Sequence, residues 1–259
     1  MKRLMNITWV VTAFLLPLPL MAASAFDGTW KIDVSKVHGS GAAEVITLKD
    51  GMYTCNCAPP IRVTSDGTDQ PISGRRDMDT MAVKIVDDHT VEQTAKKDGK
   101  VVYTRTYTVS PDGKTAAFVA ESDRGKHATF HGTLTRVGSG APGSNALAGS
   151  WQIAGYQSVS ESKLTSTYKV DGDTVSMSDG EGESYTAKLG GNPVEIKGDP
   201  DHHTIAVKMV GNTLQETDYT HGKVNSISKM TVSSDGKQMT TVTTYKPTNR
   251  GITLVAYKQ

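Results

Sequence analysis

Asp27-Gly28-Thr29-Trp30-Lys31-Ile32 returns as Ala148-Gly149-Ser150-Trp151-Gln152-Ile153. This return decides how the rest of the chain is read, because an internal repeat fixes the architecture before any single segment is assigned. Working outward, Thr80-Met81-Ala82-Val83-Lys84-Ile85-Val86 matches Thr204-Ile205-Ala206-Val207-Lys208-Met209-Val210, and Val91-Glu92-Gln93-Thr94 matches Leu214-Gln215-Glu216-Thr217. Gly99-Lys100-Val101 pairs with Gly222-Lys223-Val224, and Thr108-Val109-Ser110 through Lys114 pairs with Thr231-Val232-Ser233 through Lys237. The offset stays at about 121 to 124 residues, so order and spacing are both kept and the chain reads as a duplication.

Between the copies runs Gly138-Ser139-Gly140-Ala141-Pro142-Gly143-Ser144-Asn145, polar and without apolar periodicity, which reads as a connector. The expected domains are therefore 26–137 and 147–259, with 138–146 linking them. Each is long enough for its own core. One larger barrel made of two half-sheets is the alternative.

Within a copy the composition favours strands, with threonine, serine, valine, glycine and aspartate abundant and long helical patterns absent. Asp-Gly pairs at Asp50, Asp66, Asp98, Asp112, Asp171, Asp179 and Asp235 supply hairpin turns. Apolar residues alternate: Met81, Val83 and Ile85 share one strand face, as do Val101, Tyr103, Tyr107 and Val109. Roughly eight strands fit each copy. The expected fold is all-β, two tandem antiparallel up-and-down barrels, whose interiors either fill with side chains or hold one small ligand.

Ahead of the first copy, Lys2 and Arg3, an apolar stretch from Ile7 to Ala22 broken by Pro17 and Pro19, and Ala23-Ser24-Ala25 read as a secretory signal peptide over 1–25, cleaved before Phe26. A periplasmic or secreted location follows, with no membrane span after cleavage. Cleavage leaves 26 basic against 27 acidic residues, a balance that argues against a general nucleic-acid binder.

Both tryptophans of the cleaved chain stand in Gly28-Thr29-Trp30 and Gly149-Ser150-Trp151, opening the first strand of each copy. Here the sequence resembles the lipocalin and fatty-acid-binding protein group, the calycins, whose first strand carries Gly-x-Trp. The resemblance implies that each tryptophan packs at the closed end of a barrel beneath a basic residue from near the domain's end. Arg136 and Lys258 are the matching positions, the lysine departing from the arginine usual in lipocalins. It further implies a ligand cavity without naming its contents.

Three groups of residues are candidate sites. Tyr103, Arg105 and Tyr107 lie on one strand face and form the ligand-binding candidate: an inward guanidinium could pair bidentately with a carboxylate. The alternative places Arg105 on the solvent face, its stem covering neighbours. The matching face of the second copy, Val224, Ser226, Ser228, Met230 and Val232, carries no charge, so two cavities would differ in preference. Cys55 and Cys57 are the two cysteines, and in an exported protein they are expected to form a disulfide, with redox chemistry a further reading. His38, His89, His127 and His131 show no metal-ligand spacing to that pair, His202-His203 sits in a turn, and no metal or other cofactor is expected. No nucleophile elbow or phosphate-binding loop is present. The reading that follows is non-enzymatic binding of a small, partly apolar or carboxylate-bearing molecule. A ligand-free interaction module is the alternative, and cavity volume decides between them: about 300 Å³ or more favours binding. Oligomeric state is not legible.

Overall fold

A computed structural model describes residues 24–123 and 126–259, so the expected leader, apart from Ser24 and Ala25, lies outside the described residues. The first repeat supplies β1 (Gly28–Ile32), β2 (His38–Gly41), β3 (Glu44–Lys49), β4 (Met52–Cys55), β5 (Ile61–Thr64), β6 (Gln70–Pro71), β7 (Thr80–Ile85), β8 (Thr90–Lys97), β9 (Lys100–Val109), β10 (Thr115–Ser122) and β11 (Ala128–Ser139). The second supplies β12 (Gly149–Val159), β13 (Thr165–Asp171), β14 (Thr174–Asp179), β15 (Ser184–Lys188), β16 (Val194–Glu195), β17 (Thr204–Val210), β18 (Thr213–Thr220), β19 (Lys223–Val232), β20 (Gln238–Tyr245) and β21 (Arg250–Lys258). They form two nearly closed antiparallel barrels, each with its own apolar core. Among the described residues, no helix is long and apolar enough to cross a membrane.

The turns follow from glycine chemistry. At Asp50-Gly51 and Asp98-Gly99 both residues take positive φ, joining β3 to β4 and β8 to β9. His221-Gly222 does the same between β18 and β19, a turn that a search for Asp-Gly pairs misses. Asp66-Gly67 is no hairpin: Asp66 bridges to Lys84 and Gly67 N–H donates to Val83 O, drawing the end of β5 toward β7 and helping to close the barrel.

The barrels do not coincide with the repeats. The sheet order of the first barrel is β5-β4-β3-β12-β11-β10-β9-β8-β7-β6, and of the second β15-β14-β13-β1-β21-β20-β19-β18-β17-β16, with β2 also on β21. Each repeat has given its opening strand to the other's barrel. Gly28–Ile32 lies between β13 and β21, and Gly149–Val159 lies between β11 and β3. The first barrel is thus one continuous stretch, 44–159, and the second combines 28–41 with 165–258. The boundary expected at 138–146 falls inside a hairpin, β11 to β12, of the first barrel. That segment docks: Asn145 N–H donates to Leu48 O and Ala146 N–H to Asp88 O, while Leu147 and Ala148 enter the core. The chain crosses between barrels at 42–43 and 160–164 instead. Ahead of them β2 and β12 pass closely, since a Cβ on Gly39 would meet Ile153 N and O at 3.0 Å.

Candidate functional site

The exchanged strands carry the two tryptophans, which are each 1% exposed. Trp151 donates its indole N–H to Leu147 O at 2.8 Å, and the Arg136 guanidinium stacks 4.1 Å from its ring centroid. Arg136 and Trp151 are direct partners across β11 and β12. The same guanidinium donates to Gly113 O, Ala146 O and Ala148 O, closing that end of the barrel. Trp30 repeats the pattern with Lys258: the indole donates to Phe26 O at 2.8 Å, the ammonium lies 4.9 Å from the ring, and Trp30 and Lys258 are cross-strand partners. A Cβ on Gly149, at φ +144°, would meet Arg136 Nη1 at 2.3 Å, and Gly28, at φ +122°, packs against the Lys258 stem. The glycine of each Gly-x-Trp makes room for the basic residue. The tryptophan of each repeat therefore serves the other repeat's barrel.

Tyr103, Arg105 and Tyr107 of β9 lie inside the first barrel, on the wall of a cavity of about 450 Å³. The solvent-face alternative for Arg105 does not hold. Val101, expected on the same face, points outward at 44% exposure because a bulge opposite Lys96 shifts the register between it and Tyr103. Arg105 stands between Gln93 of β8 and Ala120 of β10. Its Nη1 donates to the Tyr107 hydroxyl at 2.7 Å, and its guanidinium carbon lies 5.1 to 5.4 Å from the ring centroids of Tyr103, Tyr107 and Phe118. A guanidinium stays protonated in proteins. Among the described residues no carboxylate forms an ion pair with it, and Arg105 Nε, Gln93 Nε2 and the Tyr103 hydroxyl are buried without a hydrogen-bond partner. Burial pushes the Tyr103 and Tyr107 hydroxyls up, so both remain neutral.

The cavity is roofed by the second barrel. Tyr245, Arg250 and Ile252 line it, while Arg250 Nη1 lies 3.3 Å from Glu44 Oε2 on the rim. Beside the roof a polar cleft of about 630 Å³ separates the barrels; it reaches Tyr103, Arg105, Tyr156 and Tyr245, which also border the cavity. Its far wall carries Glu183, Asp199, Asp201 and Asp218. Sequence reasoning missed this roof, because it is built between barrels. The cysteines form a close pair, with Cα atoms 5.2 Å apart and sulfurs at bonding distance. Cys57 borders the cavity, its Sγ 3.8 Å from Glu44 Oε1.

In the second barrel the matching positions hold Glu216 for Gln93 and Ser228 for Arg105, again cross-strand partners. The interior there leaves about 120 Å³. The Glu216 carboxylate accepts hydrogen bonds from the Tyr168 hydroxyl at 3.2 Å and from Tyr185, and burial pushes its carboxyl above the usual carboxylate range. His203 pairs with Asp199 at 3.0 Å on the cleft wall, and His127 with Asp123 at 2.7 Å on the surface. No family model matches the chain, and no curated protein matches it.

Proposed function

We propose that the protein is a calycin-like carrier, exported from the cytoplasm, whose first barrel binds a small, partly apolar molecule bearing a carboxylate. The observation that carries this reading is Arg105: a guanidinium on the wall of a 450 Å³ cavity, in no ion pair among the described residues and flanked by unmet polar groups at Gln93 and Tyr103. Glu44, on the same cavity lining, acts on Arg105 only at a distance and is itself paired with Arg250, so the partly buried guanidinium lacks a directly paired counter-charge, which an incoming carboxylate supplies. Two Arg105 donors and the Tyr103 hydroxyl suit the two oxygens of such a group. Tyr53, Tyr156, Ile153 and Leu134 offer apolar surface to the remainder. The paired tryptophan and basic residue at each barrel end support the likeness to calycins.

The test compares decanoate with decanol by calorimetric titration on the parent protein and on Arg105→Met. Decanoate is expected to bind the parent more tightly than decanol. The substitution should weaken decanoate by at least about 30-fold, from about 2 kcal/mol or more for a buried charge pair, and leave decanol nearly unchanged. Equal affinities of acid and alcohol for the parent would sink the proposal. Native mass spectrometry of protein from its own host would identify the resident ligand.

A further inference from the structure

We propose that the second barrel contains a separate site for a small alkylammonium ion, held by Glu216. The duplication left the two interiors with opposite preference. Where the first barrel sets Gln93 beside Arg105, the second sets Glu216 beside Ser228, so the buried cation has gone and a buried carboxylate has arrived. Among the described residues no lysine, arginine or histidine pairs with Glu216; its partners are the neutral hydroxyls of Tyr168 from β13 and Tyr185 from β15. Asp218, on the same strand, is the other charged group that influences it.

Glu216 lines the 120 Å³ cavity with Trp30, Met230, Met239, Ser228 and Thr241. That space equals about four water volumes at ~30 Å³ each, which accommodates methylammonium or ethylammonium and excludes a bulky quaternary ion. A carboxylate amid aromatic and thioether walls fits such an ion: the ammonium meets the charge, and the alkyl end meets Trp30 and the methionines. Burial favours the protonated carboxyl in the empty barrel. Where Glu216 is protonated in the empty barrel, binding breaks its O–H bond, the proton leaves to solvent, and the carboxylate pairs with the incoming ion; where it is already ionised, the carboxylate pairs with the ion directly.

The experiment is titration of the full chain with ethylammonium chloride, followed by NMR at the Trp30 indole N–H and the Met230 and Met239 methyls. Ethanol serves as the neutral control of similar size, tetrapropylammonium as the oversized cation and potassium chloride as the salt control. The expected result is saturable shifts with millimolar affinity for ethylammonium, at least tenfold weaker in Glu216→Gln and unchanged in Arg105→Met. Glu216→Gln keeps both tyrosine hydrogen bonds and is checked for folding by its amide spectrum. No saturable shift, equal shifts with ethanol, or undiminished shifts in Glu216→Gln would overturn the proposal. Because Arg105 lies in the other barrel, such a failure leaves the carboxylate reading standing.

Discussion

Replacing Trp30 by alanine should destabilise the barrel built mostly from the second repeat, and Trp151→Ala the barrel built mostly from the first. Each substitution removes a ring that is 1% exposed, an indole hydrogen bond of 2.8 Å and a cation stacked within 5 Å. Loss of a buried large aromatic costs about 3 to 5 kcal/mol. Amides that exchange through opening of the affected barrel should then lose protection by at least about 100-fold, at tenfold per 1.4 kcal/mol. Hydrogen exchange read segment by segment distinguishes the outcomes. Trp30→Ala should deprotect 165–179 and 204–245 and spare 52–122, and Trp151→Ala should do the reverse. If Trp30→Ala instead loosened 52–122, the first strands would sit in their own repeats and the exchanged topology would be wrong.

Three further outcomes follow from the same geometry. Glu216 has a folded-state pKa above the ordinary value, so its contribution to stability is complete below about pH 4 and is lost as pH rises through the folded pKa; Glu216→Gln should stabilise the second barrel at pH 8, by no more than about 1.4 kcal/mol per pH unit separating the two pKa values, and have little effect at pH 3.5, as urea melts at both pH values would register. The fragment 44–159 holds every strand of the first barrel and should fold alone with Trp151 buried, and a collapsed amide spectrum or solvent-exposed tryptophan emission would count against it. Intact mass before and after reduction with alkylation should reveal an intramolecular bond between Cys55 and Cys57, and two free thiols in freshly isolated protein would disprove it.

The strand class and the repeat were legible because they depend on local signals. Alternation over Met81 and Val83 places both in the core, and most of the Asp-Gly pairs mark hairpins. That Arg136 and Lys258 pack against tryptophans was implied by the calycin resemblance alone; their cross-strand register and the choice of tryptophan were not legible. Trp30 and Trp151 follow nearly identical residues, so nothing local decides which barrel receives which strand. The choice is made by long-range register and by the turn at 140–148, whose residues look like a linker because a long hairpin connection and a linker share glycine, serine and proline. The inward aim of Arg105 was undecided for a similar reason: strand alternation gives two faces, and only barrel closure says which of them is inside.

The strand exchange also bears on how a ligand reaches Arg105. In two barrels joined by a linker, the roof over the first cavity could swing away as a free domain. Here β2 is paired along β21, whose residues Arg250 to Ile252 help to form that roof, and the chain continues from Gly41 directly into β3 on the cavity rim. Ala42 N–H donates to Asn249 O, Gln152 Nε2 to Gly41 O, and Arg250 pairs with Glu44, so rim and roof are stitched together by backbone as well as by charge. Lifting the roof would mean breaking these hydrogen bonds and the Arg250–Glu44 pair, whereas the polar cleft already reaches Arg105, Tyr103 and Tyr156. On the proposed carboxylate reading, entry through the cleft would bring the ligand past Asp199, Asp201 and Asp218 before it met the guanidinium. Four carboxylates against Lys163 and His203 leave that wall acidic on balance, so neutralising Asp218 should speed association of decanoate, read by stopped-flow, more than it changes dissociation.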